Sequence, residues 1–190
     1  MQMRTVLLTG FVSAALSLLV LVVSVNGRLL GDNSGYKPVQ PIDYSHRVHA
    51  GDNKMDCQFC HLGAEKGRHA AIPPVSTCLK CHDQIKNKPN TKEPSAEIAK
   101  IHQAVKDGKP IEWVRIHRLP GFVFFNHSRH VNSGVACQSC HGEVQAMDTV
   151  EQAKAHTMGE CLACHREQNQ KAVASGKRPA APTDCSACHY

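Results

Sequence analysis

All ten cysteines of this chain fall into five pairs of one spacing, and each second cysteine is followed at once by a histidine. The motifs are Cys57-Gln58-Phe59-Cys60-His61, Cys78-Leu79-Lys80-Cys81-His82, Cys137-Gln138-Ser139-Cys140-His141, Cys161-Leu162-Ala163-Cys164-His165 and Cys185-Ser186-Ala187-Cys188-His189. Two thiols three positions apart also suit a zinc site or a redox disulfide. Neither of those needs a histidine directly after the second thiol. Histidine makes up 13 of 190 residues, so five such neighbours by chance come to about one in a million. The pattern suits haem attachment instead. The two thiols bond to the vinyl groups of one haem, and the adjacent imidazole is held beneath the iron. The chain is therefore expected to carry five haem c groups, with His61, His82, His141, His165 and His189 as proximal iron ligands.

Composition agrees with a missing interior. Aromatic residues are only 5% of the chain, and alone it can bury only a thin core. Five apolar macrocycles supply what the side chains lack. The expected fold is mostly irregular, with short α-helices wrapped around five haems, the multihaem cytochrome c class, plus one N-terminal transmembrane helix. The formal charge of +6 does not point to nucleic acid. Five haems add about ten propionate charges, and no Lys/Arg run resembles a nucleic-acid stripe.

Residues 5–27 carry no charge and are mostly Leu, Val, Ala and Phe. As a helix this stretch is roughly 35 Å long, enough for a ~30 Å hydrocarbon core. Val25-Asn26-Gly27 is a poor cleavage site, so residues 1–28 are expected to form an uncleaved signal-anchor. Haem attachment outside the cytoplasm, a property of c-type cytochromes, then sets the orientation. The chain is expected in the cytoplasmic membrane as a single-pass protein, its haem domain on the periplasmic or extracytoplasmic face.

Residues 29–45, with Gly31, Gly35, Pro38 and Pro41, form a tether. Residues 46–82 hold two haem motifs, and residues 122–190 hold three. The connector, residues 83–121, holds none. Within it Ser95 can cap a short helix, Ile98, Ile101 and Val105 share one face, and Gly108 can end it. An internal repeat underlies the two haem-bearing segments. Tyr44-Ser45-His46-Arg47-Val48-His49 precedes the first motif, and Phe125-Asn126-His127-Ser128-Arg129-His130 precedes the third at almost the same distance. Both read aromatic-x-His-x-x-His before Cys-Gln-x-Cys-His.

The second axial ligand decides what an iron can do. An open iron binds small molecules, whereas one capped on both faces shuttles electrons. Beyond the five proximal histidines remain His46, His49, His69, His102, His117, His127, His130 and His156, enough to cap every iron. Five six-coordinate, low-spin haems are the expectation. The His-x-x-His pairs are the leading candidates, since each aims two imidazoles from one helical turn toward neighbouring irons. His117 and Met158 complete a set of six candidates for five irons, so one of His46, His49, His117, His127, His130 and Met158 is surplus. His156 stands behind Met158 as a substitute. His69, His102, Met147 and Trp113 read as ordinary packing residues.

The His-x-x-His arrangement resembles the small cytochromes of the c7/c3 class. That resemblance implies that His46 and His127 cap the haems on Cys57/Cys60 and Cys137/Cys140. It implies equally that His49 and His130 cap those on Cys78/Cys81 and Cys161/Cys164. A further ligand lies just before a later motif in that class, where Met158 stands here; a thioether would raise that haem's potential.

The stretches from Pro41 to Gly51 and from Gly108 to His130, with Met158-Gly159-Glu160-Cys161, resemble the pentahaem cytochrome subunit of bacterial alternative complex III. The resemblance implies a subunit carrying electrons from a quinol-oxidising complex to a periplasmic or membrane acceptor. It implies iron–sulfur and integral membrane subunits as partners, a mono-haem cytochrome or terminal oxidase as acceptor, and no independent catalytic site. Two other readings compete. A self-sufficient quinol dehydrogenase of the NapC/NrfH type places its first haem motif close to the membrane helix, whereas residues 28–56 intervene here. A multihaem reductase of small molecules needs at least one open iron.

Overall fold

The computed structural model describes the backbone of residues 2–26 and 33–190 and the side chains of residues 10–22 and 33–190. Helices dominate. They are α1 Gln2–Asn26, α2 Cys57–Cys60, α3 Val75–His82, α4 Ala96–Lys106, α5 His127–Val131, α6 Gln138–His141 and α7 Met158–Ala174. A π-helical turn covers Arg47–Asp52, and 3-10 turns cover Val144–Ala146 and Cys185–Ala187. Among the described residues, β pairing is confined to two isolated antiparallel bridges, Asn87 with Pro94 and Val123 with His189. Short helices joined by irregular chain, without a sheet, agree with a small multihaem cytochrome.

The expected membrane anchor is corrected. Among the described residues no helix is long and apolar enough to cross a membrane. The part of α1 with described side chains, residues 10–22, spans roughly 20 Å at 1.5 Å per residue, short of the ~30 Å hydrocarbon core. The expected anchor's remaining side chains, residues 1–9 and 23–28, lie outside the described residues. A single-pass placement in the cytoplasmic membrane is therefore not supported.

Local chemistry explains where the longer helices begin and end. Ser95 Oγ accepts a hydrogen bond from the Ile98 amide at 3.3 Å and opens α4. Gly108 ends it with φ +63, the left-handed geometry that glycine adopts without penalty. α7 opens on a capping box. Thr157 Oγ1 accepts from the Glu160 amide at 3.3 Å, and Glu160 Oε2 accepts from the Thr157 amide at 2.9 Å. α4 packs on α3, burying Ile101, and the His102 ring nitrogen Nε2 donates to the His82 carbonyl at 2.9 Å.

The segments 45–52 and 127–132 dock reciprocally, each on the loop that follows the other's haem motif. The Arg47 amide donates to the Met147 carbonyl at 2.9 Å, and Ser45 Oγ donates to Asp148 at 2.7 Å. Arg47 pairs with Asp148 at 3.0 Å, an exposed ion pair that adds little to stability. On the other side the Ser128 amide donates to the Gly67 carbonyl at 3.0 Å and the His127 amide to the Arg68 carbonyl at 3.3 Å. Asn132 Nδ2 donates to the Glu65 carbonyl at 3.1 Å. The Arg68 guanidinium lies 4.0 Å above the Phe124 ring. Residues 33–36 join the body through Gln152, whose carbonyl accepts from Gly35 and whose amide donates to Tyr36.

Gly51 sits where the π-helical turn meets the 144–146 turn, and a Cβ there would collide with the Gln145 carbonyl oxygen. That atom is backbone and cannot swing aside. Gly51→Ala is expected to cost about 1–3 kcal/mol and to lower Tm by about 3–10 °C. Gly67→Ala, whose Cβ meets nothing within 4 Å, should change stability by less than about 0.5 kcal/mol. Thermal denaturation of the two haem-loaded variants checks both.

Candidate haem-binding site

The five motifs define five sites, numbered here in chain order. Site 1 is Cys57/Cys60/His61, site 2 Cys78/Cys81/His82, site 3 Cys137/Cys140/His141, site 4 Cys161/Cys164/His165 and site 5 Cys185/Cys188/His189. All ten cysteines are free of disulfides and none is fully buried. Four of the motifs lie within or against a helix (the starts of α2, α6 and α7 and the end of α3), and the fifth lies on the 3-10 turn at Cys185. A helical turn puts both thiols and the following imidazole around one centre. Asp56 caps α2 through a 2.7 Å bond from the Gln58 amide, and Asp184 caps the last turn through a 3.0 Å bond from the Ala187 amide.

Ring nitrogens carry the next layer of information. His61 Nδ1 lies 2.7 Å from the Ala71 carbonyl, His82 Nδ1 2.9 Å from Ile85, and His165 Nδ1 2.5 Å from Pro182. Among the distal candidates, His49 Nδ1 lies 2.8 Å from the Ser45 carbonyl, His127 Nδ1 2.7 Å from Arg68, and His130 Nδ1 2.9 Å from Asn126. A carbonyl oxygen only accepts, so each Nδ1 carries the proton and each Nε2 keeps its lone pair. Metal-ligating histidines are oriented in this way. His102 is reversed, with Nε2 as the donor to a carbonyl, and serves as a packing residue.

The imidazoles face one another at a telling distance. His49 and His82 have ring centroids 5.9 Å apart, His130 and His165 6.0 Å, and His127 and His141 6.4 Å with the rings within 3° of parallel. With metal–nitrogen bonds of ~2.0 Å, two imidazoles on opposite faces of one metal have centroids roughly 6 Å apart. The three pairs thus have the separation that an iron between them requires. His46 lies within electrostatic reach of His61, and its Nδ1 is a buried nitrogen with no hydrogen-bond partner. Among the described residues the ring neighbour of His189 is Phe122, 5.7 Å away, rather than an imidazole.

The repeat in sequence is a repeat in space. Tyr44 stands edge-on to His46 at 4.8 Å and stacks on His49 at 4.4 Å. Phe125 stands edge-on to His127 at 4.8 Å and stacks on His130 at 4.8 Å. One aromatic ring in each case braces two imidazoles. This role was readable only as a recurring aromatic before His-x-x-His.

His117 falls elsewhere. Its Nε2 lies 3.3 Å from His141 Nδ1, so it contacts the side of His141 that carbonyls occupy at sites 1, 2 and 4. With His141 and His156 it forms a half-buried group whose ring nitrogens lie within 4.8 Å of one another. Met158, at the first turn of α7, is 64% exposed and stands one helical turn before Cys161.

The chain's own apolar interior is small. Among the described residues the buried apolar side chains are Ile42, Ala64 and Ile101. The accessible surface is 14121 Å², against roughly 9,000 Å² for a compact chain of 20.8 kDa. Residues 10–22 of α1, all exposed, account for part of the excess. The rest includes Phe59, Leu62, Phe122 and Phe124, which stand exposed beside the motifs. Paired thiols, facing imidazoles with free Nε2 atoms, an orphaned buried nitrogen and uncovered apolar side chains all fit haem.

Burial pushes the His46 and His117 imidazoles down to about 4 and His141 to about 3, with neighbouring imidazoles adding to the effect. Their folded values lie below the ordinary 6.5, so the unfolded chain binds more protons between the two.

His117→Gln is expected to leave every iron low-spin and to raise the potential of one haem, because His141 loses a partner that raises its basicity. EPR-monitored redox titration checks this. A new high-spin signal would instead make His117 an axial ligand.

Comparison with known proteins agrees with this chemistry. Residues 123–190 match the family described as cytochrome c7 and related cytochrome c. The chain is similar to the multihaem cytochrome c subunit of menaquinone reductase from Nitratidesulfovibrio vulgaris, 28% identical over 172 residues, covering 79% of this chain and 76% of that protein. It is also similar to the multihaem cytochrome MtrA of Shewanella baltica, 28% identical over 148 residues. That match covers 70% of this chain but 44% of MtrA. These similarities support electron transfer by a multihaem cytochrome c.

Proposed function

We propose that this chain is a pentahaem electron-transfer subunit of a quinol-oxidising respiratory complex of the alternative complex III type. In this reading it receives electrons from iron–sulfur and integral membrane subunits. It delivers them to a periplasmic or membrane acceptor, a mono-haem cytochrome or a terminal oxidase. The observation that carries the electron-transfer part is the set of facing imidazoles, 5.9–6.4 Å apart, behind haem-attachment motifs. The assignment to this complex rests on the resemblance of residues 41–51 and 108–130 and of Met158-Gly159-Glu160-Cys161. Similarity to a subunit of another quinone-linked complex also supports it.

When bound, haem supplies a one-electron ferric/ferrous couple whose potential follows its axial ligands and surroundings. The residues of the chain do the rest. The ten motif cysteines, Cys57 to Cys188, hold the group covalently, and His61, His82, His141, His165 and His189 take the proximal position. His46, His49, His127 and His130 take the distal position at sites 1 to 4, closing those irons to small molecules. Met158, on the first turn of α7, is the candidate left for site 5, where the ring neighbour of His189 is Phe122. His117 is then the surplus candidate, an orienting partner of His141. The carbonyls of Ala71, Ile85 and Pro182 hold the protons at Nδ1 of their histidines and keep Nε2 on the iron.

A second reading reverses the flow. The similarity to the subunit of menaquinone reductase favours delivery of electrons toward a quinone rather than from a quinol.

Intact-mass measurement should give the 20.8 kDa chain plus five haems, unless the N-terminus is processed, and EPR should show low-spin signals alone. The native protein should co-purify with iron–sulfur and integral membrane subunits, and quinol oxidation should need those partners. An isolated subunit that oxidises quinol would overturn the assignment to such a complex. Reduction of a quinone by the native complex, without quinol oxidation, would favour the second reading.

A further inference from the structure

We infer that the five sites form a row in the order 2–1–3–4–5, out of chain order, so that sites 2 and 5 are its ends, where electrons arrive and leave. This rests on the attachment of five haems proposed above.

Each step of the row has its own contacts. Sites 2 and 1 share Tyr44, which touches both His46 and His49, and His49 faces His82 across site 2. Lys80, inside the second motif, lies 5.6 Å above the ring of Phe59, inside the first. Sites 1 and 3 meet through the reciprocal docking. The Arg68 carbonyl, in the loop that follows His61, holds Nδ1 of His127 at 2.7 Å, and His127 faces His141. The first thiols of the two motifs, Cys57 and Cys137, lie within electrostatic reach of each other.

Sites 3 and 4 repeat the first step, with Phe125 bracing His127 and His130 and His130 facing His165. Sites 4 and 5 are joined by α7. His165 Nδ1 meets the Pro182 carbonyl at 2.5 Å, and Asn169 binds the Ala181 carbonyl at 2.8 Å and its amide at 3.1 Å. That segment runs directly into Cys185.

The physical reason for the order is the repeat. Each His-x-x-His turn serves the motif that follows it and the next one along the chain. Each such turn is also seated on the other copy's first motif loop. The two copies therefore meet head to head at sites 1 and 3, and site 2 is pushed outward. Movement along the row oxidises one site and reduces its neighbour by one electron, with no bond made or broken. A quinol's two protons and two electrons would be separated in the partner subunit.

The test uses the full-length haem-loaded protein. In the fully reduced, diamagnetic wild type, two-dimensional NMR should give cross-relaxation between the haems of sites 1 and 3 and none between sites 2 and 3. Absence of the 1–3 contacts, or presence of 2–3 contacts, overturns the order. Redox coupling gives a second readout, because a haem's charge acts most on its nearest neighbours. His49→Met should shift the midpoint of one other haem, and His46→Met should shift two. The reverse would restore chain order. If either variant loses haem, the wild-type NMR result decides. Intact mass reports the haem number separately, so failure of the five-haem reading is distinguishable from failure of the order.

Discussion

The fold depends on apolar surface that the polypeptide does not cover by itself. Ile42, Ala64 and Ile101 are its buried apolar side chains among the described residues. At roughly 25 cal/mol per Å², so few residues cannot offset the backbone entropy of ordering 33–190. What the chain does instead is expose Phe59, Leu62, Phe122 and Phe124 beside paired thiols. The polypeptide behaves as a shell of short, well-capped helices whose inner lining is laid out for flat apolar groups.

Hydrogen bonding serves the same end. In an ordinary small protein, irregular backbone is a liability, because each unpaired carbonyl costs free energy when buried. Here the irregular loops use those carbonyls. Ala71, Ile85, Pro182, Ser45, Arg68 and Asn126 each present an oxygen to the Nδ1 of a histidine. The arrangement leaves Nε2 as the reactive nitrogen on six rings and makes coil, rather than helix or sheet, the scaffold for the site. Arg68 serves twice, since its carbonyl holds His127 and its guanidinium covers Phe124. That single residue ties the first haem-bearing segment to the second.

Much of the site could be read one motif at a time. The cysteine pairs and the histidines after them are contiguous in sequence, so local spacing is sufficient to recognise them. The helix α4 was similarly visible in Ser95, the Ile98/Ile101/Val105 face and Gly108, all of which act within a turn or two. The candidate distal ligands were harder. His-x-x-His marks His46, His49, His127 and His130 as a set, but what faces each of them is a long-range matter. On sequence His117 joined the candidate ligands and His102 read as a packing residue, with no local signal of what either one touches. Only the contacts of their ring nitrogens, with His141 Nδ1 and with the His82 carbonyl, set them apart from the facing pairs. The apolar N-terminal run was legible as a helix, yet among the described residues no helix is long and apolar enough to cross a membrane.

The sequence by itself determined the chemistry: five thiol pairs, five adjacent imidazoles, and a surplus of further candidate ligands, four of them in two copies of one repeat. Such information is carried by residues within about ten positions of one another, where the covalent chain itself sets the distance. Tertiary structure alone decided which imidazoles face which and how the halves meet. The repeat offers two copies of one docking turn, and nothing in its spacing states that each copy seats on the loop of the other. That choice is made by backbone contacts between residues far apart in the chain, Arg47 with Met147 and Ser128 with Gly67, and by the close approach that Gly51 permits at Gln145.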